Sequence, residues 1–286
     1  MAIGTTISTF FEGRWHDGNT PVMGAADHGL WLGTLVFDGA RAFEGTAPDL
    51  DLHCQRIISS ARAMGMDPGM TGQEIEEIAR QGIAKIGTGT PVYIRPMMWS
   101  TEGAPGMIAP DPTSTRFALC IEDLPFAPLD KFALGVSQLR RPRMDMAVTE
   151  AKAACLYAQN GRIMADARAR GFDNALSLDA DDNVAETASS NVFLVRGGHV
   201  QTPKANGTFL AGITRKRCIE LLAADGVQVE ETALTLADFE DADEIFLTAN
   251  AQKITPVTRY GDRDMGAGQF ATRVRRLYWD YAHQNG

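Results

Sequence analysis

Lysine is scarce in this 286-residue chain. Only six occur, at Lys85, Lys131, Lys152, Lys204, Lys216 and Lys253, against 21 arginines. A lysine with a chemical role must therefore be one of few, while the many arginine forks suit carboxylate and phosphate groups. Cysteine is also sparse. Cys54, Cys120, Cys155 and Cys218 lie far apart with no C-x-x-C, which argues against a disulfide framework or a zinc site and for a reducing, cytoplasmic setting. No uninterrupted apolar run approaches the ~18 residues of a membrane span, and Met1 to Phe10 does not read as an export signal. The formal charge of -9 lacks the basic balance expected of a nucleic-acid binder. His16, His28, His53, His199 and His283 make no metal-spaced pair, and G-x-x-x-x-G-K-[ST], H-E-x-x-H and G-x-S-x-G are all missing. No glycine-rich dinucleotide fingerprint follows an early strand, which sets aside a dehydrogenase.

What is present reads as a mixed α and β enzyme in two halves. Hydrophobic residues make up 44% and charged residues 22%, ordinary for a globular protein with a real core. The stretch I-E-D-L-P-F-A-P-L-D, residues 121–130, reads as a linker between an N-terminal α+β domain (1–120) and a C-terminal α/β domain (131–286). In the first half, helices are expected over 51–64, with Asp51 as N-cap and Gly65 as stop, and over 71–86. There Thr71 and Glu74 have capping-box spacing ahead of an Ile75, Ile78, Ala79, Ile83, Ile86 stripe. Residues 92–98 read as a strand. In the second half a helix is expected over 153–170, a strand over 175–178, a turn over 179–183 and a hairpin about Gly197-Gly198. A further helix is expected over 214–224, a buried strand over 244–247 and an amphipathic helix at the end.

Several residues invite a chemical reading, each with a plain alternative. Lys152 sits in T-E-A-K-A-A-C-L-Y, where small apolar neighbours would desolvate its amine; alone, it reads more readily as a surface lysine of a helix's first turn. Glu186 lies between apolar segments and needs a partner, whether a protonated ring nitrogen or an ordinary cation. Leu210-Ala211-Gly212-Ile213-Thr214-Arg215 opens a helix and offers free backbone N–H groups to an anion, as many glycine-containing junctions do. Thr248-Ala249-Asn250-Ala251 ends a buried strand, a common ligand position and a common turn. Arg56, in an apolar helix, wants an anion or a structural carboxylate. Alternation places Tyr93 and Arg95 on one strand face, where phenol and guanidinium suit a substrate carboxylate; Arg41, in G-A-R-A-F, is a second candidate. An interior ion pair would explain either arginine.

Taken in order over residues 12–259, these segments resemble the class IV aminotransferases, the fold-type IV group that uses pyridoxal-5′-phosphate (PLP), and within it the branched-chain amino acid aminotransferases. H-G-L-W-L-G-T-L-V-F-D-G-A-R-A-F, from His28 to Phe43, is similar to the Y-G-x-x-V-F-E-G-I-R segment. V-Y-I-R-P matches Y-I-R-P, and L-A-G-I-T-R is close to L-P-G-I-T-R. N-V-A-E-T-A-S-S-N-V-F and D-E-I-F-L-T-A-N-A-Q-K-I-T-P-V have counterparts as well. The resemblance implies a two-domain fold with PLP in the cleft between domains, held by Lys152 as a Schiff base. Tyr157 would lie beside the ring oxygen, Glu186 at the ring nitrogen and Leu210 against the ring, with Arg56, Ile213, Thr214 and Asn250 on the phosphate. Leu32, Phe37, Gly39, Arg41, Tyr93, Arg95 and Ala251 would face substrate.

The activity implied is ping-pong transfer of an amino group from an apolar, branched-chain L-amino acid to 2-oxoglutarate, in a homodimer. Alternatives on the same fold are a D-amino acid or (R)-amine aminotransferase and an aminodeoxychorismate lyase; outside enzymes, a catalytically silent binding protein. Four departures bear on specificity and phosphate geometry: Leu32 for a tyrosine, Asp38 for a glutamate, Asn250 for a threonine, and Cys155-Leu156 where the family often has small residues or asparagine before the tyrosine.

Overall fold

The computed structural model describes residues 4–87, 89–266 and 268–285. The chain divides into two compact units. The first comprises 1–126, 150–156 and 282–286, and the second 127–149 and 157–281.

The first unit contains β1 (Ile7–Phe11), β2 (Arg14–Asp17), α1 (His28–Trp31), β3 (Leu35–Phe37), β4 (Ala40–Ala42), α2 (Leu50–Ala63), α3 (Gly72–Ile86), β5 (Val92–Ser100) and β6 (Thr115–Asp123). Its antiparallel sheet runs β2-β1-β6-β5-β3, with β4 also on β5. Along β5, Val92, Ile94, Pro96 and Met98 are buried while Tyr93, Arg95 and Met97 on the opposite face are half-buried. That is the period-two alternation expected of a strand with one face on a core. The core joins Ile57 and Ile58 of α2, Ile75 and Ala79 of α3, and Ile94, Met98, Leu119 and Ile121 of the sheet. Thr71 and Glu74 form the reciprocal capping box at the start of α3. Helix α2 begins differently from expectation. Its N-cap is Asp49, in the left-handed region at φ 59°, and Asp51 lies inside the first turn. There its charge still opposes the helix dipole. Strand β6 runs on through Asp123, because Glu122 and Asp123 keep their register with Tyr93 and Val92 of β5. The first unit accordingly extends to Phe126, into the segment read as a linker.

The second unit contains β7 (Ala133–Val136), α4 (Tyr157–Ala169), β8 (Asn174–Leu178), β9 (Val184–Thr187), β10 (Asn191–Arg196), β11 (His199–Pro203), α5 (Ile213–Ala224), β12 (Val229–Thr232), α6 (Leu236–Glu240), β13 (Glu244–Ala249), β14 (Lys253–Pro256), β15 (Arg259–Tyr260) and β16 (Arg263–Asp264). It also holds α7 (Gln269–Asn285) as far as Tyr281. Two five-stranded sheets result, β12-β11-β10-β13-β14 and β16-β15-β7-β8-β9, both mixing parallel and antiparallel pairs. The β10–β11 hairpin closes with Arg196 opposite His199, and Gly197 and Gly198 take positive φ of 56° and 81°, as a two-residue primed turn requires. Phe193 and Phe246 stack at 4.8 Å between centroids beneath Val274 and Tyr278 of α7. The buried carboxylate of Glu244 accepts from the backbone N–H groups of Phe270 and Ala271 at 3.0 and 2.5 Å and so caps α7.

Candidate active site

Lys152 is not in a helix. The segment Glu150–Leu156 belongs to the first unit, and its backbone is committed to strand-like pairing. The Phe37 N–H of β3 donates to the Lys152 carbonyl at 3.1 Å, Ala153 bridges Val36, and the Lys152 N–H donates to Ser60 Oγ of α2 at 3.1 Å. Those bonds exclude helical geometry, so a 3-10 turn at Ala154–Leu156 intervenes and α4 begins only at Tyr157. Ala151 and Ala153 are 2% and 0% exposed. Lys152 Nζ lies 4.9 Å from the centroid of the half-buried Phe37 ring. The only lysine in this segment thus emerges from apolar packing on a backbone clamped from two sides.

Asp38, the residue after Phe37, is fully buried at the centre of an ionic cluster. It accepts from His53 Nδ1 at 2.7 Å and from Arg56 Nε and Nη2 at 2.6 and 2.8 Å, while the Gly39 N–H donates to it at 2.7 Å. Burial alone would raise this carboxyl. The charges of Arg56 and then His53, with their hydrogen bonds, outweigh it and hold Asp38 well below the usual carboxylate range. Arg56 therefore sits in a bidentate fork fixed by Asp38. At Gly39 no side chain fits, because a Cβ would strike the Tyr93 hydroxyl.

Tyr93 and Arg95 do share a face, with the Arg95 guanidinium carbon 5.0 Å from the Tyr93 ring centroid. Arg95 Nη2 donates at 2.5 Å to Glu122 Oε1 on β6, a carboxylate only 2% exposed, while the Arg95 side chain remains one-third exposed. Burial works against the Arg95 charge, but Tyr93 and Glu122 outweigh it and hold the guanidinium above its ordinary value. Arg41 is fully buried, opposite Tyr93 in register. It donates to the Leu124 carbonyl and stacks 4.2 Å over the Phe126 centroid, yet its Nε and Nη1 have no hydrogen-bond partner among the described residues. Burial pulls it down to about 10, with Tyr93 opposing. Leu32 is exposed beside the more exposed Trp31.

In the second unit, Glu186 is a buried residue of β9. Arg141 Nη2 lies 3.2 Å from its Oε1, and Asn191 Nδ2 donates to Oε2 at 3.4 Å. Arg141 is itself buried and also donates to Asn160 and to the Thr208 carbonyl at 3.4 Å. Asn191 does further work at the start of α5: its Nδ2 donates to the Leu210 carbonyl at 3.0 Å and its Oδ1 accepts from the Gly212 N–H at 3.0 Å. Gly212 is the N-cap and must lack a side chain, since a Cβ would collide with Asn191 Oδ1. Gly212 offers no side chain to cap the first turn of α5, whose N–H groups, those of Ile213 and Thr214 included, have no intrahelical acceptor. Among the described residues neither the buried hydroxyl of Thr248, directly opposite Asn191 in the β10–β13 register, nor the Asn250 amide nitrogen has a partner. Unmatched donors of this kind, beside an uncapped helix start, make a site for an anion such as phosphate. Ala251 is exposed in the β13–β14 turn, and Tyr157 is half-buried at the first position of α4.

Sequence reasoning missed Arg141, Asn191, Ser60, Glu122 and Lys253. Arg141 stands in L-R-R-P-R, where nothing separates the buried arginine from its exposed neighbours Arg140 and Arg143. Among the described residues no group of three His, Cys, Asp or Glu could hold a metal ion, and no helix is long and apolar enough to cross a membrane.

Residues 35–260 match the family model for class IV amino-transferases. The chain belongs to that family and is an aminotransferase by class. It is 30% identical to the branched-chain-amino-acid aminotransferase of Escherichia coli K12, over 92% of this chain and 87% of that protein. A Brucella abortus aminotransferase solved with the cofactor PLP is 48% identical, with a TM-score of 0.96 over 97% of this chain and 99% of that one. The T.th. branched-chain amino acid aminotransferase, complexed with N-(5'-phosphopyridoxyl)-L-glutamate, is 26% identical, with a TM-score of 0.89 over 100% and 96%. The mixed α and β fold is that of class IV aminotransferases.

Proposed function

We propose that this enzyme is a PLP-dependent aminotransferase that moves the amino group of an apolar, branched-chain L-amino acid to 2-oxoglutarate. The observation that carries the reading is the demand for an anion near the start of α5: the Ile213 and Thr214 N–H groups lie in the helix's first turn, and the buried Thr248 hydroxyl and Asn250 amide nitrogen have no partner among the described residues. These residues fit a cofactor phosphate. Arg56, with its fork oriented by Asp38, is assigned to the same group, and Leu210 and Tyr157 to the cofactor ring. PLP supplies an electron sink that stabilises a carbanion at the substrate's Cα.

Lys152 holds the cofactor and, once released by the donor, takes the proton from that Cα. Its clamped backbone leaves only the side chain to move. Glu186, held by Arg141 and Asn191, presents a fixed negative charge to a ring nitrogen. A buried carboxylate is tolerated because the guanidinium offsets its desolvation. Tyr93 and Arg95, with Arg41 second, take substrate carboxylates. Gly39, Phe37, Leu32 and Ala251 line the remaining substrate contacts. The branched-chain names of the relatives and the L-glutamate adduct of one neighbour support the donor and the acceptor respectively.

We assign the working enzyme to a homodimer in the cytoplasm. Leu30, Trp31 and Leu32 are exposed, as are Met107 and Ile108, and both stretches are joined through His28, whose Nε2 lies 3.2 Å from the Met107 and Ile108 carbonyls. Such an apolar patch suits association. The free cysteines suit a reducing compartment.

The test is a half-reaction screen. Purified enzyme is mixed with single L-amino acids, D-amino acids or (R)-amines without an acceptor, and the cofactor absorbance is followed. Conversion is expected with L-leucine, L-isoleucine and L-valine. A clear preference for D-amino acids or (R)-amines overturns the branched-chain reading, and pyruvate release without an oxo-acid acceptor would mark a lyase.

A further inference from the structure

Lys253 is the only fully buried lysine among the described residues. It follows the three-residue turn Asn250-Ala251-Gln252 between β13 and β14, pairs with Ala249 across the hairpin, and adopts φ 61°. A non-glycine residue in the left-handed region needs compensation from its surroundings. Its Nζ meets Asn250 Oδ1 at 2.5 Å and lies 5.3 Å from the Tyr278 ring centroid.

An ammonium can only donate, so the partner atom on Asn250 must be the carbonyl oxygen. That contact fixes the amide plane and turns Nδ2 away from Lys253. Nδ2 is buried and has no acceptor among the described residues, and the Thr248 hydroxyl two residues earlier likewise has no partner among them. Thr248 stands opposite Asn191, which binds the Gly212 N–H at the start of α5, and α5 packs on β13.

We propose that Lys253 is a positioning residue that aims the Asn250 amide N–H at a phosphate held at the start of α5. The inference rests on the PLP reading above and adds an unassigned residue to it. A hydroxyl in place of Asn250 would rotate to meet an acceptor unaided; a planar amide presents either its donor or its acceptor end, and Lys253 makes that choice.

Dissociation constants for PLP and for pyridoxal, which lacks the phosphate, are measured by equilibrium dialysis on full-length wild type, Asn250→Asp, Lys253→Met, Asn250→Thr and the Asn250→Thr/Lys253→Met double variant. Asn250→Asp keeps a partner for Lys253 but replaces the donor with an acceptor, so PLP affinity should fall roughly 100-fold and pyridoxal affinity less than about 3-fold. Lys253→Met should weaken PLP about 10-fold in the wild-type background and less than about 3-fold beside Asn250→Thr, because threonine needs no anchor. Equal loss from Lys253→Met in both backgrounds would show that Lys253 acts by charge alone and overturn the proposal. So would a loss of pyridoxal binding in Asn250→Asp as large as the loss of PLP. Should Lys253→Met not fold, the Asn250→Asp contrast between the two ligands still decides whether the amide serves the phosphate. Wild type that binds PLP no better than pyridoxal removes the phosphate site and the proposal together. Wild type that binds neither overturns the functional reading itself.

Discussion

The Asp38 cluster of the first unit and the α5 start of the second are both rich in polar groups, but they are finished to different degrees. Asp38 is saturated: His53, Arg56 and the Gly39 N–H all bind it. At the α5 start, the backbone is held by Asn191, yet Thr248 Oγ1 and Asn250 Nδ2 have no partner among the described residues. A closed ionic cluster stabilises its unit whether or not a ligand is present. An open set of donors leaves a desolvation penalty that a bound anion removes. The same resemblance points at both regions, and in the second the unmatched Thr248 and Asn250 atoms stand at the end of the strand that packs against α5.

Substitutions can break or sharpen this contrast. The largest effect belongs to Lys152→Ala, which should lower the single-turnover rate of the donor half-reaction roughly 10,000-fold while leaving the thermal midpoint nearly unchanged. Borohydride trapping followed by peptide mass mapping offers a second check, and an adduct on any other lysine would refute the assignment.

Asp38→Asn tests the closed cluster. Breaking a buried ion pair should destabilise by about 3 to 5 kcal/mol near neutral pH, read by urea unfolding. The sign of the pH dependence follows from the lowered native value of Asp38. Its contribution is fully present above the unfolded carboxylate range and is lost as pH falls through the native value. Wild type and variant should therefore converge in strongly acid solution; a gap that widens there would contradict the charge assignment.

Glu186→Gln should retain the cofactor and slow proton transfer about 100-fold, equivalent to about 3 kcal/mol, with stopped-flow absorbance as the measurement. An unchanged rate would remove Glu186 from the chemistry. The smallest effect is expected at Arg95→Leu. Because Glu122 already engages one of its nitrogens, the loss should be only about 10-fold in 2-oxoglutarate KM, about 1.4 kcal/mol, and less for an apolar donor. Equal losses in the two half-reactions would end the acceptor role.

What is legible in the sequence follows the range of the interaction. The Thr71–Glu74 box, the Gly197-Gly198 turn and the α3 stripe are specified within a few residues and appear as expected. The start of α4 falls later than expected because Ala153 and Lys152 pair with Val36 and Phe37, more than a hundred residues away, and local helix propensity cannot register that. Arg141 meets Glu186 across 45 positions, and Glu122 meets Arg95 through strand register; neither leaves a periodic trace. Lys253 is one of six lysines, with nothing local to single it out. Its own backbone takes the αL conformation at the start of β14, a geometry invisible in A-N-A-Q-K.

The clamp on Lys152 has a kinetic meaning as well. With its carbonyl tied to β3 and its N–H to Ser60, the residue is a short leash with a fixed post. An amine so tethered searches a small volume instead of a solution, and its effective molarity toward any atom within that volume is far above that of a free amine. Lengthening the leash by loosening the post, as Ser60→Ala would begin to do, should dilute the amine without changing its chemistry.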